Sequence, residues 1–450
     1  MIYQHQSHLP ITYLQLHYSH VQVKPLGVHP NQKQSERAND TSVYSPLPPA
    51  LRVLTQRQAL RGTKRASREH FINEVESLGT ELILTHRRYA HSLGAVVLTR
   101  TLPQVVSLLH EVITEPRLDP DELEQSKRAY IAELDARYDD DHAMAWLCLA
   151  RRLHVDHPLW SDYTVDQSQV EAISIEDVRN AWPKVFHPDA LLPCITSNLS
   201  QSDILDALRS LYKPTQEMSS LVKPVPTISP LLTSTLTLVH KPDKRQASIF
   251  IAHPTLTPDH PQSLALKVAL CALGGTFSSP LMQEVRVKRG LSYGAYAGLK
   301  GEANARFVCL NATPDAKDAA ETLEVMLAVF KRGAEGELSD ETLFFAKDYL
   351  INAHPFSIET PAMRAGLTVH AVLMGVDPDR SLDMPKYLYG LTVEEIRQAA
   401  RDHLSLDHLE ILIYGDQEGE LKEIEQRVCE YFSINRVIRI SASATAHEIR

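Results

Sequence analysis

Histidines are numerous enough in this sequence to raise the question of a metal site, since imidazole is a common zinc ligand. None of the 21 is spaced as HxxEH or HExxH, the patterns in which two histidines one helical turn apart hold zinc and a glutamate activates the metal-bound water. His86 and His91 are an odd number of residues apart, so on a continuous strand they would face opposite sides. His154 and His157 stand at a predicted helix end. For both pairs we expect a surface or packing role.

The other reactive residue types show no catalytic pattern either. Gly274 and Gly275 lack the rest of a phosphate-binding loop, GxGxxG or GK[ST], and predict a turn between helices. Ser278 and Ser279 have no accompanying His and Asp pattern for a catalytic triad. The cysteines are odd in number and form no CxxC, which indicates reduced, buried thiols in a cytoplasmic protein. They are Cys148, Cys194, Cys271, Cys309 and Cys429.

Length and composition describe an ordinary globular protein with more than one domain. The 450 residues exceed the size of one usual core. The net charge of −10 combines both signs, so neither nucleic acid nor an anionic membrane surface is an expected partner. No run approaches the ~20 apolar residues of a membrane-spanning helix, and residues 1–10 show no secretory signal. We expect a cytoplasmic protein, or a periplasmic one if an upstream segment is missing.

The sequence contains an internal duplication. Residues 173–181 (ISIEDVRNA) resemble residues 391–399 (LTVEEIRQA) at an offset of 391 − 173 = 218. Residues 118–123 (LDPDEL) resemble residues 338–343 (LSDETL) at an offset of 338 − 118 = 220. Two landmarks at nearly one offset indicate two halves built on the same plan.

The duplicated landmarks also predict where helices begin. Ser174 stands three residues before Asp177, and Thr392 stands three residues before Glu395. A hydroxyl followed at this distance by a carboxylate forms a capping box, which satisfies free N–H groups at a helix start.

Helices and strands alternate in the same order in both halves, which predicts two α+β domains. We assign residues 1–212 to the first domain, 213–234 to a proline-containing linker and 235–450 to the second domain. The polar residues 29–49 predict a mobile surface loop. Helices are predicted at 67–78, 102–113, 121–137, 263–273, 279–287, 316–333 and 340–352, and strands at 93–98, 293–299 and 306–312.

Several segments resemble one known family. Residues 61–63 (RGT) with 67–79 (SREHFINEVESLG) resemble the first half of pitrilysin/insulinase-type peptidases, and 273–293 (LGGTFSSPLMQEVRVKRGLSY) resembles the second half. These are the inverted-motif (HxxEH) zinc peptidases, which include the mitochondrial processing peptidase and the respiratory-complex core proteins. The resemblance covers residues from about 51 to 416. It implies two homologous domains, each a mostly antiparallel sheet covered by helices.

The resemblance places the HxxEH zinc motif just before the RGT segment, at residues 53–57 of this sequence. Val53 cannot bind a metal, and Gln56 cannot accept a proton near neutral pH. Arg57 brings a permanent positive charge to the place of the second histidine. Glu133 matches the third ligand but makes no site alone, so we expect it to form an ion pair. The sequence predicts no cofactor in this chain.

The family's other active-site residues are an arginine and a tyrosine from the second half, which hold the substrate near the zinc. The matching residues are Arg286 and Tyr293, with Gly290 expected to end the helix that carries the arginine. A guanidinium and a phenol can both donate hydrogen bonds to a peptide carbonyl or an oxyanion. The alternative is that Arg286 makes an ion pair and Tyr293 only packs in a strand.

These features resemble a bacterial non-catalytic subunit more than a complete enzyme. The leading hypothesis is a subunit that pairs with a homologous HxxEH-containing subunit, which holds the zinc ion, and helps it to cleave an unfolded peptide lying extended along a sheet edge. One alternative is a structural or scaffold protein that contacts no substrate. A second alternative is a metallopeptidase whose metal site has moved.

Overall fold

The structure is a computed structural model of the chain. It describes residues 3–6, 10–19, 47–86, 90–187, 191–211, 227–302, 305–416, 434 and 436–442. The predicted surface loop at 29–49 and the predicted linker at 213–234 fall largely outside these residues, so the linker and the domain boundaries on either side of it stay predictions.

The first sheet has five described strands in the order β1-β5-β2-β4-β3. β1 runs parallel to β5, and every other neighbouring pair is antiparallel. The strands are β1 Tyr3–Gln6, β2 Ile11–Ser19, β3 Ile83–His86, β4 Ala90–Leu98 and β5 Leu191–Ser197.

The second sheet repeats this arrangement. Its described strands follow the order β11-β6-β10-β7-β9-β8. The strands β6 to β10 pair in the same order and directions as β1 to β5 of the first sheet, and β11 is added beside β6. The duplication and the α+β fold with mostly antiparallel sheets are therefore confirmed. The strands are β6 Thr235–His240, β7 Ser248–Pro254, β8 Ser292–Glu302, β9 Ala305–Pro314, β10 Glu410–Gly415 and β11 Arg436–Ser441.

The helices are duplicated as well. In each half two helices lie between the second and third strands, and three long helices follow the fourth strand. The helices of the first half are α1 Pro49–Arg57, α2 Arg68–Ser77, α3 Leu102–Thr114, α4 Pro120–Ala136, α5 Asp141–Leu153, α6 Gln167–Glu171, α7 Ile175–Val185 and α8 Gln201–Ala207. Those of the second half are α9 Ser263–Gly274, α10 Pro280–Met282, α11 Ala319–Ala334, α12 Asp340–Ser357, α13 Pro361–Leu373, α14 Pro378–Leu382, α15 Met384–Tyr389 and α16 Val393–His403.

The two predicted capping boxes are present. Ser174 accepts a hydrogen bond from the backbone N–H of Asp177 at the start of α7, and the Asp177 carboxylate accepts one from the backbone N–H of Ser174. Thr392 and Glu395 make the same reciprocal pair at the start of α16. The repeated sequence thus begins a helix in both halves through the same local bonds.

Each sheet packs one face against its helices to form a hydrophobic core. In the first core, Leu14, Leu16 and Tyr18 alternate along β2 and belong to the same buried cluster as Val105 and Leu109 of α3. The second core is built in the same way from β7, β9 and β10 with α9, α11 and α16. Burial of this apolar surface is the main stabilising contribution to each sheet-and-helix layer.

The compact units of the structure are not contiguous in sequence. One unit comprises Met1–Asp135, Val165–Val225 and Phe356–Leu382, and the other comprises Ala136–Thr164, Pro226–Pro355 and Asp383–Arg450. α5, from the first half of the chain, packs on β10 and β7 of the second unit, whereas α13, from the second half, packs on β5, β1 and β2 of the first unit. Dividing the chain into an N-terminal and a C-terminal half therefore accounts for the two sheets but not for α5 and α13, each of which packs on the sheet formed by the other half; we call these two the exchanged helices.

Two further expectations can be compared with the described residues. Cys148, Cys194, Cys271 and Cys309 are free and buried, as predicted. Burial raises the pKa of each of these thiols. No helix within the described ranges combines the length and the apolar character needed to cross a membrane.

Candidate functional site

Residues 53–57 lie on α1, at the place where the family motif would hold zinc. The Arg57 guanidinium forms a bidentate ion pair with Glu133 of α4, with Nη1–Oε1 and Nη2–Oε2 distances of 3.0 and 2.6 Å. Its Cζ also lies 4.8 Å from the centroid of the Tyr130 ring. The expected ion pair of Glu133 is therefore confirmed, and its partner is the residue that replaces the second histidine.

Gln56 takes the place of the catalytic glutamate and is held by a histidine. Its side-chain oxygen accepts a hydrogen bond from Nδ1 of His86 at 2.5 Å. Although part of His86 is exposed, desolvation and then the positive charge of Arg57 lower the pKa of His86 to about 4, so the ring is neutral at pH 7. This arrangement suits a neutral amide and offers no general base.

The residues at this place do not fit a zinc ion. Val53 has no donor atom, Gln56 is a neutral amide and Arg57 is a cation that occupies the carboxylate of Glu133. Across the described part of the chain, no three histidine, cysteine, aspartate or glutamate side chains cluster closely enough to hold a metal ion. Any zinc chemistry of the family would need donors that this site lacks.

The remaining histidine pairs have packing roles. His86 and His91 do not lie on one continuous strand, the case in which they would face opposite sides; they are direct register partners on neighbouring antiparallel strands. The His91 ring stacks on Tyr18, with centroids 5.1 Å apart. His154 and His157 are buried and in edge-to-face contact at 5.5 Å, which confirms their packing role.

A cavity of about 410 Å³ lies beside the degenerate motif in the first unit. Its lining combines apolar side chains with arginine and glutamate side chains. It borders β3, which ends the order of the described strands and so has an edge without a strand partner in that order. The lining residues are Arg57, Leu60, Arg61, Arg68, Phe71, Ile72, Val75, Glu76, Glu81, Leu82, Leu84 and His86.

The second unit carries Arg286 on an irregular helix. Residues 279–287 were predicted as one ordinary helix, but α10 is followed by a π-helix at Gln283–Lys288, in which the backbone turn is one residue wider. Gly290 has a φ of +65°, and its N–H bonds to the carbonyl of Arg286. The predicted glycine stop after the arginine-bearing helix is therefore confirmed.

Tyr293 projects from a second irregularity. The pairing of β8 with β9 shifts register between Ser292 and Ala295, so Tyr293 lies in a β-bulge near the start of β8. A bulge turns a side chain away from the regular alternation of a strand. The Tyr293 side chain is 82% exposed and is not strand filler.

These two irregular segments bring the two side chains together. The Cζ of Arg286 lies 4.4 Å from the centroid of the Tyr293 ring. Among the described residues, the Arg286 side chain forms no ion pair and no hydrogen bond, so its guanidinium N–H donors are not used within that part of the chain. The alternative that Arg286 makes an ion pair is not met within those residues. The assignment of the pair as substrate-binding stays a prediction.

Two neighbouring cations, by contrast, pair with Glu284 of the π-helix. Lys288 lies 2.7 Å from its carboxylate, and Arg289 also pairs with it. Hydrogen bonds from these two side chains lower the pKa of Glu284 to about 2, so it is ionised throughout the physiological range. Glu284 is therefore engaged by Lys288 and Arg289 and not by Arg286.

Phe277 is a residue of this site that the sequence did not single out. It lies in the turn between α9 and α10, and the Cζ of Arg286 is 5.0 Å from its ring centroid. The predicted inter-helix turn at the glycine pair is confirmed, with Gly275 at the end of α9. The sequence does contain a signal for this residue, a large apolar ring in a turn of glycine, serine and threonine, where little burial is expected.

Two family models match the chain. The one described as insulinase (peptidase family M16) matches residues 53–156, and the one described as peptidase M16 inactive domain matches residues 172–350. The chain belongs to peptidase family M16. Within that family it is a peptidase homologue without the HxxEH motif.

Relatives and solved structures agree with this assignment. A Helicobacter pylori protein described as a non-peptidase homolog is 22% identical over 318 residues, which cover 70% of this chain and 73% of that protein. An uncharacterized zinc protease of Streptomyces coelicolor is 22% identical over 355 residues, 76% of each chain. The structure of a peptidase M16 inactive domain from Pseudomonas fluorescens has a TM-score of 0.76 at 21% identity and covers 93% of this chain and 96% of its own. At this identity the structural likeness shows the fold alone.

Proposed function

We propose that this chain is the non-catalytic subunit of a two-chain peptidase. A homologous subunit with an HxxEH motif supplies the zinc ion, and this chain supplies Arg286 and Tyr293 to the bound peptide. The substrate is an unfolded peptide or a short protein segment. The observation that carries the proposal is Arg286, whose donors have no partner in the described protein, next to a tyrosine that is almost fully exposed.

Tyr293 contributes little to folding, which favours a role in binding. Tyr293 buries little surface, so its truncation leaves no cavity. Arg286 and Tyr293 both depend on local irregularities, a π-helix and a β-bulge, which occur frequently at functional sites. An unpaired guanidinium beside a phenol provides several donors for peptide carbonyls.

The first unit supports the same proposal through binding surface rather than chemistry. An extended peptide can pair with the edge of β3 and place an apolar side chain in the adjacent cavity. The Arg57–Glu133 pair stands where the zinc would be, so this unit can hold a peptide but has no metal-bound water with which to cleave it.

The test is to measure peptide cleavage and zinc content for this chain, for a homologous HxxEH subunit and for the two mixed. We expect cleavage by the mixture, with all the zinc in the homologue, and direct binding of an unstructured peptide to this chain. Assembly without any gain in cleavage, together with no peptide binding, would favour a scaffold protein. One tightly bound zinc and chelator-sensitive cleavage by this chain alone would favour a relocated metal site.

A further inference from the structure

Phe277 gives the Arg286 guanidinium a second aromatic contact besides Tyr293. The distances from its Cζ to the two ring centroids are 5.0 Å for Phe277 and 4.4 Å for Tyr293. Both lie within the ~6 Å range of an attractive cation–π contact. Aromatic rings attract the cation without using its N–H donors, so they can hold a guanidinium in place while leaving those donors for a ligand.

The turn that carries Phe277 is fixed at both ends. The N–H of Gly275 bonds to the carbonyl of Cys271 at 2.8 Å, and the N–H of Ser279 bonds to the carbonyl of Thr276 at 3.1 Å. The carbonyl of Phe277 itself accepts a hydrogen bond from Nε2 of Gln283 at 3.0 Å. Gln283 begins the π-helix that carries Arg286, so this bond ties the turn directly to that helix.

The exposure of Phe277 has no explanation in the packing of the unit. Its side chain is 59% exposed, and its ring contact is with Arg286. A large apolar ring gains only a small part of its burial free energy at such a position. Its placement is explained if it orients Arg286 toward a ligand.

We infer that Phe277 is a positioning residue of the peptide-binding site, holding Arg286 so that its N–H groups meet the carbonyl oxygens of an extended peptide. This inference rests on the proposed function. A leucine would fill a similar volume but would lack the π face, whereas a tryptophan would retain it.

The experiment measures the affinity of an unstructured, fluorescently labelled peptide with blocked termini for the full chain by anisotropy. We expect Phe277→Ala and Phe277→Leu to weaken binding about two- to fivefold, the range of an exposed cation–π contact, and Phe277→Trp to restore it. In a chain that already carries Arg286→Ala, Phe277→Ala should cause no further loss. The matched control is Phe345→Ala on α12, a phenylalanine of similar exposure (51%), which should bind as the unmodified chain does.

The outcomes separate this inference from the function on which it rests. If the unmodified chain does not bind the peptide, the proposed function fails. If the unmodified chain binds the peptide but Phe277→Leu binds it equally well, the inference is wrong. It is also wrong if Phe277→Ala lowers the peptide affinity by the same factor with and without Arg286, because Phe277 then does not act through the arginine. Unchanged thermal unfolding of the variants confirms that only binding is measured.

Discussion

The exchanged helix α5 is tied to the second sheet by a buried ion pair, and this pair gives a sharp test of the fold. Nε and Nη2 of Arg152 each donate a hydrogen bond of 3.3 Å to the carboxylate of Glu410 on β10. The Arg152 side chain is 7% exposed, and Glu410 is fully buried. Thr237 also donates a hydrogen bond to that carboxylate. Burial raises the pKa of Glu410, and the charge of Arg152 opposes that rise. We predict that Arg152→Met strongly destabilises the second unit.

The magnitude follows from leaving one charge of a buried pair without its partner. Such a change costs about 3–5 kcal/mol. In the variant, Glu410 reduces this cost by binding a proton, so its pKa rises further in the folded state. The unfolded carboxyl titrates near pH 4.3. A folded pKa above that value means that the variant loses stability as the pH rises from about 4.3, and the loss at pH 8 exceeds that at pH 5.

Urea unfolding followed by circular dichroism at pH 5 and pH 8 measures this effect. Arg152→Met with Glu410→Gln should lose less than the sum of the two single variants, because no unpaired charge remains. The control is Lys331→Met on α11, which breaks an exposed ion pair with Glu335 just after that helix and should cost under about 1 kcal/mol. If Arg152→Met costs no more than this control, the buried pair does not secure α5.

Two further predictions concern the degenerate motif and a buried histidine. Replacing Val53, Gln56 and Arg57 by His, Glu and His rebuilds HxxEH beside Glu133. By elemental analysis this triple variant should bind one zinc per chain, whereas Arg57→His alone should bind none. A triple variant without zinc would show that the backbone has also diverged. Burial lowers the pKa of His253 to about 4. Since the unfolded ring takes up a proton near pH 6.5, the free energy of unfolding should fall by up to about 3 kcal/mol between pH 6.5 and 4. In urea titrations His253→Leu should lack this pH dependence. An equal pH dependence in the variant and the unmodified chain would refute the prediction.

The repeated plan of the molecule was predictable because local signals carry it. The capping boxes at Ser174 and Thr392 are short-range patterns, and their common offset predicted two equivalent halves that the strand orders confirm. The loss of zinc ligands at residues 53–57 was equally readable, because a missing donor atom needs no structure to be recognised.

The site details were not predictable because they depend on contacts between distant or irregular segments. The π-helix at Gln283–Lys288 spans only six residues, too few for its wider turn to be recognised from hydrophobic periodicity. The pairing of His86 with His91 required knowing that they lie on neighbouring antiparallel strands. The partners of Arg57 and Arg286, at Glu133 and Phe277, come from other elements that sequence spacing does not place together.

Cleavage by the assembled pair, with Arg286 or Tyr293 altered in this chain only, tests the central claim most directly. Removing an oriented donor at a transition state typically costs ~2.7–4 kcal/mol, a rate loss of about a hundredfold or more. Arg286→Ala and Tyr293→Phe should each reduce peptide cleavage by about this factor while assembly with the HxxEH homologue is unchanged. Tyr389→Phe, an exposed tyrosine on α15, should cleave at the unmodified rate. Unmodified cleavage by both site variants, in complexes that assemble normally, would contradict the claim that this chain completes its partner's active site.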